Sequence, residues 1–183
     1  MPELPEVETT CRGLEPHIAG QNIKTVLIRQ SRLRWPITPG LRQKLPGQKI
    51  QSISRRGKYL LINVTDGTII IHLGMSGSLQ IISSHTSPKK HDHFEIVFEN
   101  NQSLRLHDPR RFGAVLWTTH PVLEHRLLCS LGPEPLENNF SADYLFQCSR
   151  KRRVSIKSFI MNSRIVVGVG NIYASEALFR AGI

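Results

Sequence analysis

Apolar residues recur along the first two-thirds of the chain at two spacings. Leu4, Val7, Cys11, Leu14 and Ile18 fall three or four apart, the stripe of a helix that buries one face, with Pro16 weakening its last turn. The period then shortens. Ile23–Ile28 is apolar and β-branched, and Tyr59–Val64 and Thr68–His72 flank Thr65-Asp66-Gly67, a hairpin turn. His93–Phe98 alternates, with Phe94, Ile96 and Phe98 on one face, and Asn100-Asn101-Gln102 turns the chain into Ser103–His107. Ala114–Thr118 is one more short strand.

The pattern changes after Trp117. Pro121–Leu128, Ala142–Gln147, Ser155–Met161 and Asn171–Ala181 read as helices, with Ser141 a suitable N-cap, Asn171 opening the last one and Gly182 stopping it. Gly132–Asn139, with two prolines, a glycine and two asparagines, reads as a linker. Strands followed by helices predict an α+β chain, a β-rich domain plus a helical one. The last helix has little chain left to bury its apolar face, so the helical part reads as incomplete.

Composition sharpens this picture. Lys and Arg number 24 against 14 Asp and Glu, a formal charge of +10 on 183 residues. That balance excludes an acidic disordered tail and favours a polyanionic partner, nucleic acid above all, although basic ribosomal and membrane-surface proteins carry similar charge. The cysteines, Cys11, Cys129 and Cys148, are odd in number and widely spaced, which argues against a disulfide framework or a zinc site and for reduced, mostly buried thiols. MPELPEVETT is acidic and lacks an apolar h-region, so it is no signal peptide, and runs such as Thr68–Ile71 are too short to span a bilayer.

Several segments carry candidate chemistry. Pro2 follows Met1; freed of it, the secondary amine is a nucleophile suited to an iminium, with Glu3 and Glu6 as nearby acid or base. The same residues equally suit the first turn of a helix, where Pro and carboxylates are favoured. Lys58 stands at a strand start, after Arg55-Arg56-Gly57, as a phosphate donor or a solvated charge. Gly74-Met75-Ser76-Gly77 is a tight loop presenting or burying Met75. Asp108-Pro109-Arg110-Arg111-Phe112-Gly113 pairs arginines with an aromatic wedge, a combination suited to DNA. His91 and His93 lack a third metal ligand at a convincing spacing. Arg150–Arg153 and Lys157 form a basic stretch that is either solvated or a phosphate track. Gly168-Val169-Gly170 opens like a dinucleotide fingerprint, but Tyr173 replaces its third glycine and no βαβ unit surrounds it.

MPELPEVET, HLGMSGSL, KHDH, DPRRFGA, LGPEPL and VVGVGNIYASEALF, in that order, resemble bacterial formamidopyrimidine-DNA glycosylases over essentially the whole chain. The resemblance implies an N-terminal β-sandwich domain with an N-terminal helix (1–132), then the start of a helical helix–two-turns–helix domain (133–183). It implies a bifunctional DNA glycosylase and abasic-site lyase of base excision repair. Such an enzyme removes 8-oxoguanine and formamidopyrimidines from double-stranded DNA through a Schiff base. By resemblance Pro2 is the nucleophile, Glu3 the acid/base, Glu6 a supporting carboxylate and Lys58 a group of the elimination chemistry. Met75, Arg110 and Phe112 fill the void left by the flipped nucleotide. His91, Arg110 and Arg152 contact DNA, Lys157 and Asn171 contact phosphates, and Tyr173 lies beside them.

The family continues past Ile183 into a four-cysteine zinc finger that is absent here. The expectation is therefore no cofactor and no metal in this chain, and an enzyme shortened relative to its family. The alternatives are a damaged-DNA-binding fragment of weak or no activity, or an endonuclease VIII-like glycosylase of oxidised pyrimidines. A bacterial, cytoplasmic monomer bound to the nucleoid and to no membrane completes the expectation. Arg55, Arg56, Lys58, Lys89, Lys90, Arg110, Arg111 and Arg150–Arg153 supply the charge turned toward DNA.

Overall fold

The computed structural model describes all 183 residues. Helix α1 (Leu4–Ile18) is followed by β1 (Ile23–Ile28), a single helical turn α2 (Leu41–Lys44), and strands β2 (Ile50–Arg56), β3 (Tyr59–Val64), β4 (Gly67–His72), β5 (Ser78–Ser83), β6 (Asp92–Phe98), β7 (Gln102–His107) and β8 (Ala114–Thr118). Helices α3 (Ala142–Ser149), α4 (Ile156–Ile160) and α5 (Asn171–Arg180) complete the chain. Two antiparallel four-stranded sheets, ordered β1-β6-β7-β5 and β2-β3-β4-β8, bury their inner faces in one core of 23 residues. The stripe Leu4, Val7, Cys11, Leu14 and Ile18 is the buried face of α1. Thr65-Asp66 makes the two-residue turn that pairs Val64 with Gly67. The α+β class, with an N-terminal helix ahead of a β-sandwich, is therefore the fold observed.

Two strands escape the pattern for identifiable reasons. In β2 the register shifts between Ile50 and Ser52, so its buried residues, Ile50 and Ile53, fall three apart and the two-residue alternation is lost. β5 lies at a sheet edge and has no fully buried residue. β6 buries both faces: Phe94, Ile96 and Phe98 enter the core, while Asp92 and Glu95 are buried around Arg105 and His93 is buried against the Asp108 carbonyl.

The expected helix over Pro121–Leu128 is a correction. Only Val122–Glu124 forms a 3₁₀ turn, and further turns follow. Val122, Leu127, Leu128 and Leu131 pack on Leu61, Ile70, Ala114 and Leu116, the outer face of the second sheet. A regular helix would turn some of these leucines away. The thiols are also not mostly buried: Cys11 is, Cys148 is half-buried and Cys129 is exposed. Asn171 is the first residue of α5 and Gly170 its N-cap.

Gly132–Asn139 is no free linker, because Glu134 is buried within it. Its carboxylate accepts from Arg55 Nη1 (2.6 Å), Arg56 Nη1 (2.8 Å) and the Gly57 N–H (2.7 Å). Arg55 also reaches Glu8 of α1 at 2.7 Å. Burial works to raise the Glu134 carboxyl pKa, but Gly57 and the two guanidiniums outweigh it and hold it below the ordinary carboxylate range. Arg55 and Arg56 are thus spent inside the protein and are not free for DNA, contrary to the expectation from charge.

Glu134→Ala would strip the buried carboxylate from the Gly57 amide and from two partly buried guanidiniums, leaving Arg55 with Glu8 and the Gly57 carbonyl and Arg56 with the Leu131 and Gly132 carbonyls. The expected cost is about 3 kcal/mol of unfolding free energy, lost progressively in the wild type as pH falls through the depressed carboxyl pKa. Urea denaturation at pH 7 measures it, and a loss under about 1 kcal/mol would contradict the tie.

Candidate active site

The N-terminus is fixed by one buried carboxylate. Glu3 is 2% exposed and occupies the N-cap position of α1, where its own N–H donates to Glu6 Oε2 at 3.0 Å. Its carboxylate points away, across to the first turn of α5, and accepts from the N–H groups of Gly170 (2.8 Å), Ile172 (2.8 Å) and Tyr173 (3.2 Å). These donors have no partner within their own helix, and the positive end of the helix favours an anion. A second strap runs from the Leu4 N–H to the Gly168 carbonyl at 3.0 Å. The glycines of Gly168-Val169-Gly170 serve this contact. A Cβ on Gly168 would lie 2.4 Å from Leu4 Cδ1, and one on Gly170 would lie 2.4 Å from Glu3 Cδ.

Beside this junction lies a cleft. One hollow of about 230 Å³ is lined by Lys58, Tyr59, His72, Arg34, Gly168 and Val169 among others. A second, of about 390 Å³, shares Arg34 and His72 and adds Met1, Gly74, Met75 and Phe112. Lys58 Nζ donates to the Val169 carbonyl at 3.2 Å. Burial lowers the Lys58 pKa below its ordinary value, against the opposing pull of Glu3 and Glu6. His72 Nδ1 accepts from the Gly74 N–H at 2.9 Å, so the ring is neutral, and Tyr59 lies 4.9 Å away, ring centre to ring centre. Burial, then the charges of Arg34 and Lys58, push the His72 pKa down to about 4.

Met75 and Phe112 each stand 43% exposed and line the same hollow at the mouth of the cleft. The Arg110 guanidinium lies over the Phe112 ring at 4.8 Å. Asp108, fully buried, joins the two loops that carry them: its carboxylate accepts from Ser76 Oγ (3.2 Å) and the Gly113 N–H (2.7 Å).

The structure thus places Lys58 in one hollow and Met1, Met75 and Phe112, with Arg110 over the Phe112 ring, at the adjoining one, while Glu3 lines neither and is held at the α5 turn beside them. Asn171 and Tyr173 sit on the α5 turn that holds Glu3, and Glu6 stands behind Glu3. His91 joins through its carbonyl, which accepts the Asp108 N–H at 2.9 Å. Arg152 and Lys157 line neither hollow; Arg152 donates to the Cys148 carbonyl just beyond the end of α3, and Lys157 lies in α4. Arg34, His72, Ser76 and Asp108 were not singled out from the sequence as site residues. Arg34 lies in an aperiodic loop that gives no signal, whereas Asp108 and Ser76 stood inside the two glycine-bounded motifs. The largest hollow, between Arg29, Arg32 and Arg42, holds none of the expected residues. No three His, Cys, Asp or Glu side chains come together in a group that could hold a metal ion.

The formamidopyrimidine-DNA glycosylase N-terminal domain matches residues 1–115, and the H2TH domain of the same glycosylases matches residues 131–183. The chain belongs to the formamidopyrimidine-DNA glycosylase family. The glycosylases of Nitrosococcus oceani and Thioalkalivibrio sulfidiphilus are 61% and 57% identical to it over all 183 residues, which span 68% of each relative. Among solved structures, Lactococcus lactis Fpg (MutM) bound to DNA containing N7-benzyl-Fapy-dG is 36% identical, with a TM-score of 0.92 over all of this chain and 68% of that one. The same enzyme bound to abasic-site DNA gives 0.91 over 99% and 67%, and bound to DNA with an oxidised pyrimidine 0.92 over 100% and 69%. The family's N-terminal domain covers the sandwich up to the start of β8, with Met75 and Phe112, and its H2TH domain covers the helical segment whose α5 holds Glu3. No helix is long and apolar enough to cross a membrane.

His72 gives this cleft a pH signature. Its pKa, 6.5 when unperturbed, is about 4 in the folded chain, so the unfolded chain binds the extra proton between those values. Stability therefore falls as pH drops from about 6.5 to about 4, by about 3 kcal/mol in all. His72→Asn keeps an acceptor for Gly74 and does not titrate. Chemical denaturation at pH 7 and pH 4.5 is expected to show a loss smaller by about 2 kcal/mol in the variant; equal losses would refute the assignment.

Proposed function

We propose that this chain is a base-excision-repair DNA glycosylase and abasic-site lyase acting on oxidised purines in double-stranded DNA, with the Pro2 amine as its nucleophile. The reading is carried by one observation: Met1 lines the hollow of the exposed pair Met75 and Phe112, which shares Arg34 and His72 with the hollow of Lys58. While Met1 is attached, the Pro2 nitrogen is an amide; hydrolytic removal of Met1 leaves a secondary amine next to the hollow that Met1 lines. Membership of the family, and relatives solved with abasic and Fapy-dG DNA, support the substrate class.

The chemistry then follows from the groups present. The Pro2 lone pair attacks C1′ of an extruded nucleotide, the glycosidic bond breaks with its electron pair leaving on the base, and the sugar ring opens to an iminium. Glu3 handles the proton at the ring oxygen, and its three N–H donors keep the carboxylate in place. Loss of a C2′ proton breaks the C3′–O bond, and water releases the sugar and regenerates the amine. The electrophile comes from the substrate, so the scheme uses no cofactor. Met75, Arg110 and Phe112 occupy the vacated stack, offsetting part of the unstacking cost. His91, Arg152, Lys157, Asn171 and Tyr173 would hold the backbone on either side. One chain carries all these groups, so a monomer suffices, acting on chromosomal DNA in the cytoplasm.

Borohydride reduction with a duplex containing 8-oxoguanine is expected to trap a covalent complex with the Met1-free chain and none with the chain retaining Met1. Glu3→Gln should slow trapping by about 10²-fold or more. Salt-sensitive binding of abasic duplex without trapping by the Met1-free chain would replace the enzyme with a damaged-DNA binder. Preferred release of thymine glycol would replace purine with pyrimidine lesions.

A further inference from the structure

The repair reading gives roles to Met75, Arg110 and Phe112 but not to what holds them. Met75 and Phe112 project from separate loops, and both loops are locked to one buried carboxylate. Asp108 Oδ1 accepts from Ser76 Oγ at 3.2 Å, next to Met75, and Oδ2 accepts from the Gly113 N–H at 2.7 Å, next to Phe112. Its main chain adds three more ties. The Asp108 N–H donates to the His91 carbonyl at 2.9 Å, and its carbonyl accepts from His93 Nε2 at 2.9 Å and from the Arg111 N–H at 3.2 Å. A carbonyl only accepts, so His93 carries its proton on Nε2.

The backbone leaves no slack around this anchor. A Cβ on Gly74, at φ +65°, would meet the Phe112 carbonyl carbon at 2.4 Å, so the two loops touch backbone to backbone. A Cβ on Gly113 would meet Asp108 Oδ2 and the His72 carbonyl at 2.9 Å each. Arg111 takes φ +57°, a left-handed conformation that costs a non-glycine residue energy and persists only where its surroundings hold it. Two apolar side chains at the mouth therefore share one foundation.

We propose that Asp108 is the positioning residue that makes the two wedge loops a single device, so that Met75, Phe112 and Arg110 enter the DNA stack together. This rests on the repair reading for its function, but the coupling itself is a property of the free protein. Asp108 touches no reacting atom; it acts through Ser76 and Gly113.

The test has two arms, both on the full chain. In the first, amide hydrogen exchange is followed in the absence of DNA. Asp108→Ala is expected to deprotect residues 73–77 and 108–113 together, and Asp108→Asn, which can accept from Gly113 and donate to Ser76 Oγ, to keep both protected. Should the alanine variant fold poorly, Ser76→Ala removes only the half-exposed partner and is expected to loosen 73–77 selectively. Deprotection of one loop alone by Asp108→Ala, or of neither, overturns the proposal. In the second arm, affinity is measured for a duplex bearing a tetrahydrofuran abasic analogue and for the undamaged duplex. Asp108→Ala is expected to weaken the first about tenfold, and the undamaged duplex by less than about twofold. Asp108→Asn should restore most of the difference, which a general loss of stability would not allow. Equal weakening on both duplexes overturns the role in the wedge. A wild-type chain with no preference for the abasic analogue would instead sink the repair reading, and the exchange arm would still decide the coupling.

Discussion

The Glu3 carboxylate is the contact on which the site depends. It comes from the start of α1 and accepts three N–H groups at the start of α5, residues separated by almost the whole chain. Leaving those donors dry would cost free energy for each, and leaving the carboxylate buried without them would cost more. The two requirements cancel only when the N-terminus lies on the helical segment. That placement brings the start of the chain, where Met1 lines one hollow, beside a second hollow whose walls come from the sandwich on one side and Gly168-Val169 on the other. The position of a candidate nucleophile thus follows from the capping of a helix at the far end of the sequence.

Glu134 repeats this logic a short distance away. It is a single carboxylate in the connecting segment, and it gathers Arg55, Arg56 and the Gly57 amide at the end of β2. Gly57 precedes Lys58, so the tie also sets the lysine that faces Val169. Glu3 and Glu134 clamp the helical segment to the sandwich at two points. Between them lies the hollow containing Lys58 and His72, where burial depresses the pKa of both groups. A looser junction would admit water, and both shifts would shrink.

The parts of this arrangement that sequence reasoning reached are those set by local chemistry. The stripe of α1, the Thr65-Asp66 turn and the Ser141 cap each depend on residues a few positions apart. The hydrophobic pattern failed where tertiary contacts overrode it: at the bulged β2, at the edge strand β5, and at the leucines after Pro121, which cover a sheet without forming a helix. The site residues were legible only through the family resemblance, because spacing alone cannot tell a capping Pro-Glu pair from a nucleophile and its acid. The roles of Glu134 and Asp108 were not legible by either route. Each joins segments distant in sequence, and a lone carboxylate carries no periodic signature of that.

The excess of positive charge takes on a different meaning once these carboxylates are accounted for. Arg55 and Arg56 are held by Glu8 and Glu134, and Arg105 by Glu95 and Asp92, where it also fastens the Thr86 and Ser87 carbonyls to the sheet. Cations used this way add little to a field at the surface. The cations left free to act on a polyanion are exposed ones such as Lys89, Lys90, Arg110, Arg111 and Arg150–Arg153. Lys89 and Lys90 precede His91, and Arg110 and Arg111 flank the wedge, so part of the free charge is carried by the loops that Asp108 joins. Phosphate attraction is insensitive to sequence and acts over about a Debye length, while insertion of Met75 and Phe112 requires contact and an unstacked position. Under the proposed function, placing both on the same loops would let an encounter steered by charge deliver Met75 and Phe112 to the duplex in the same step.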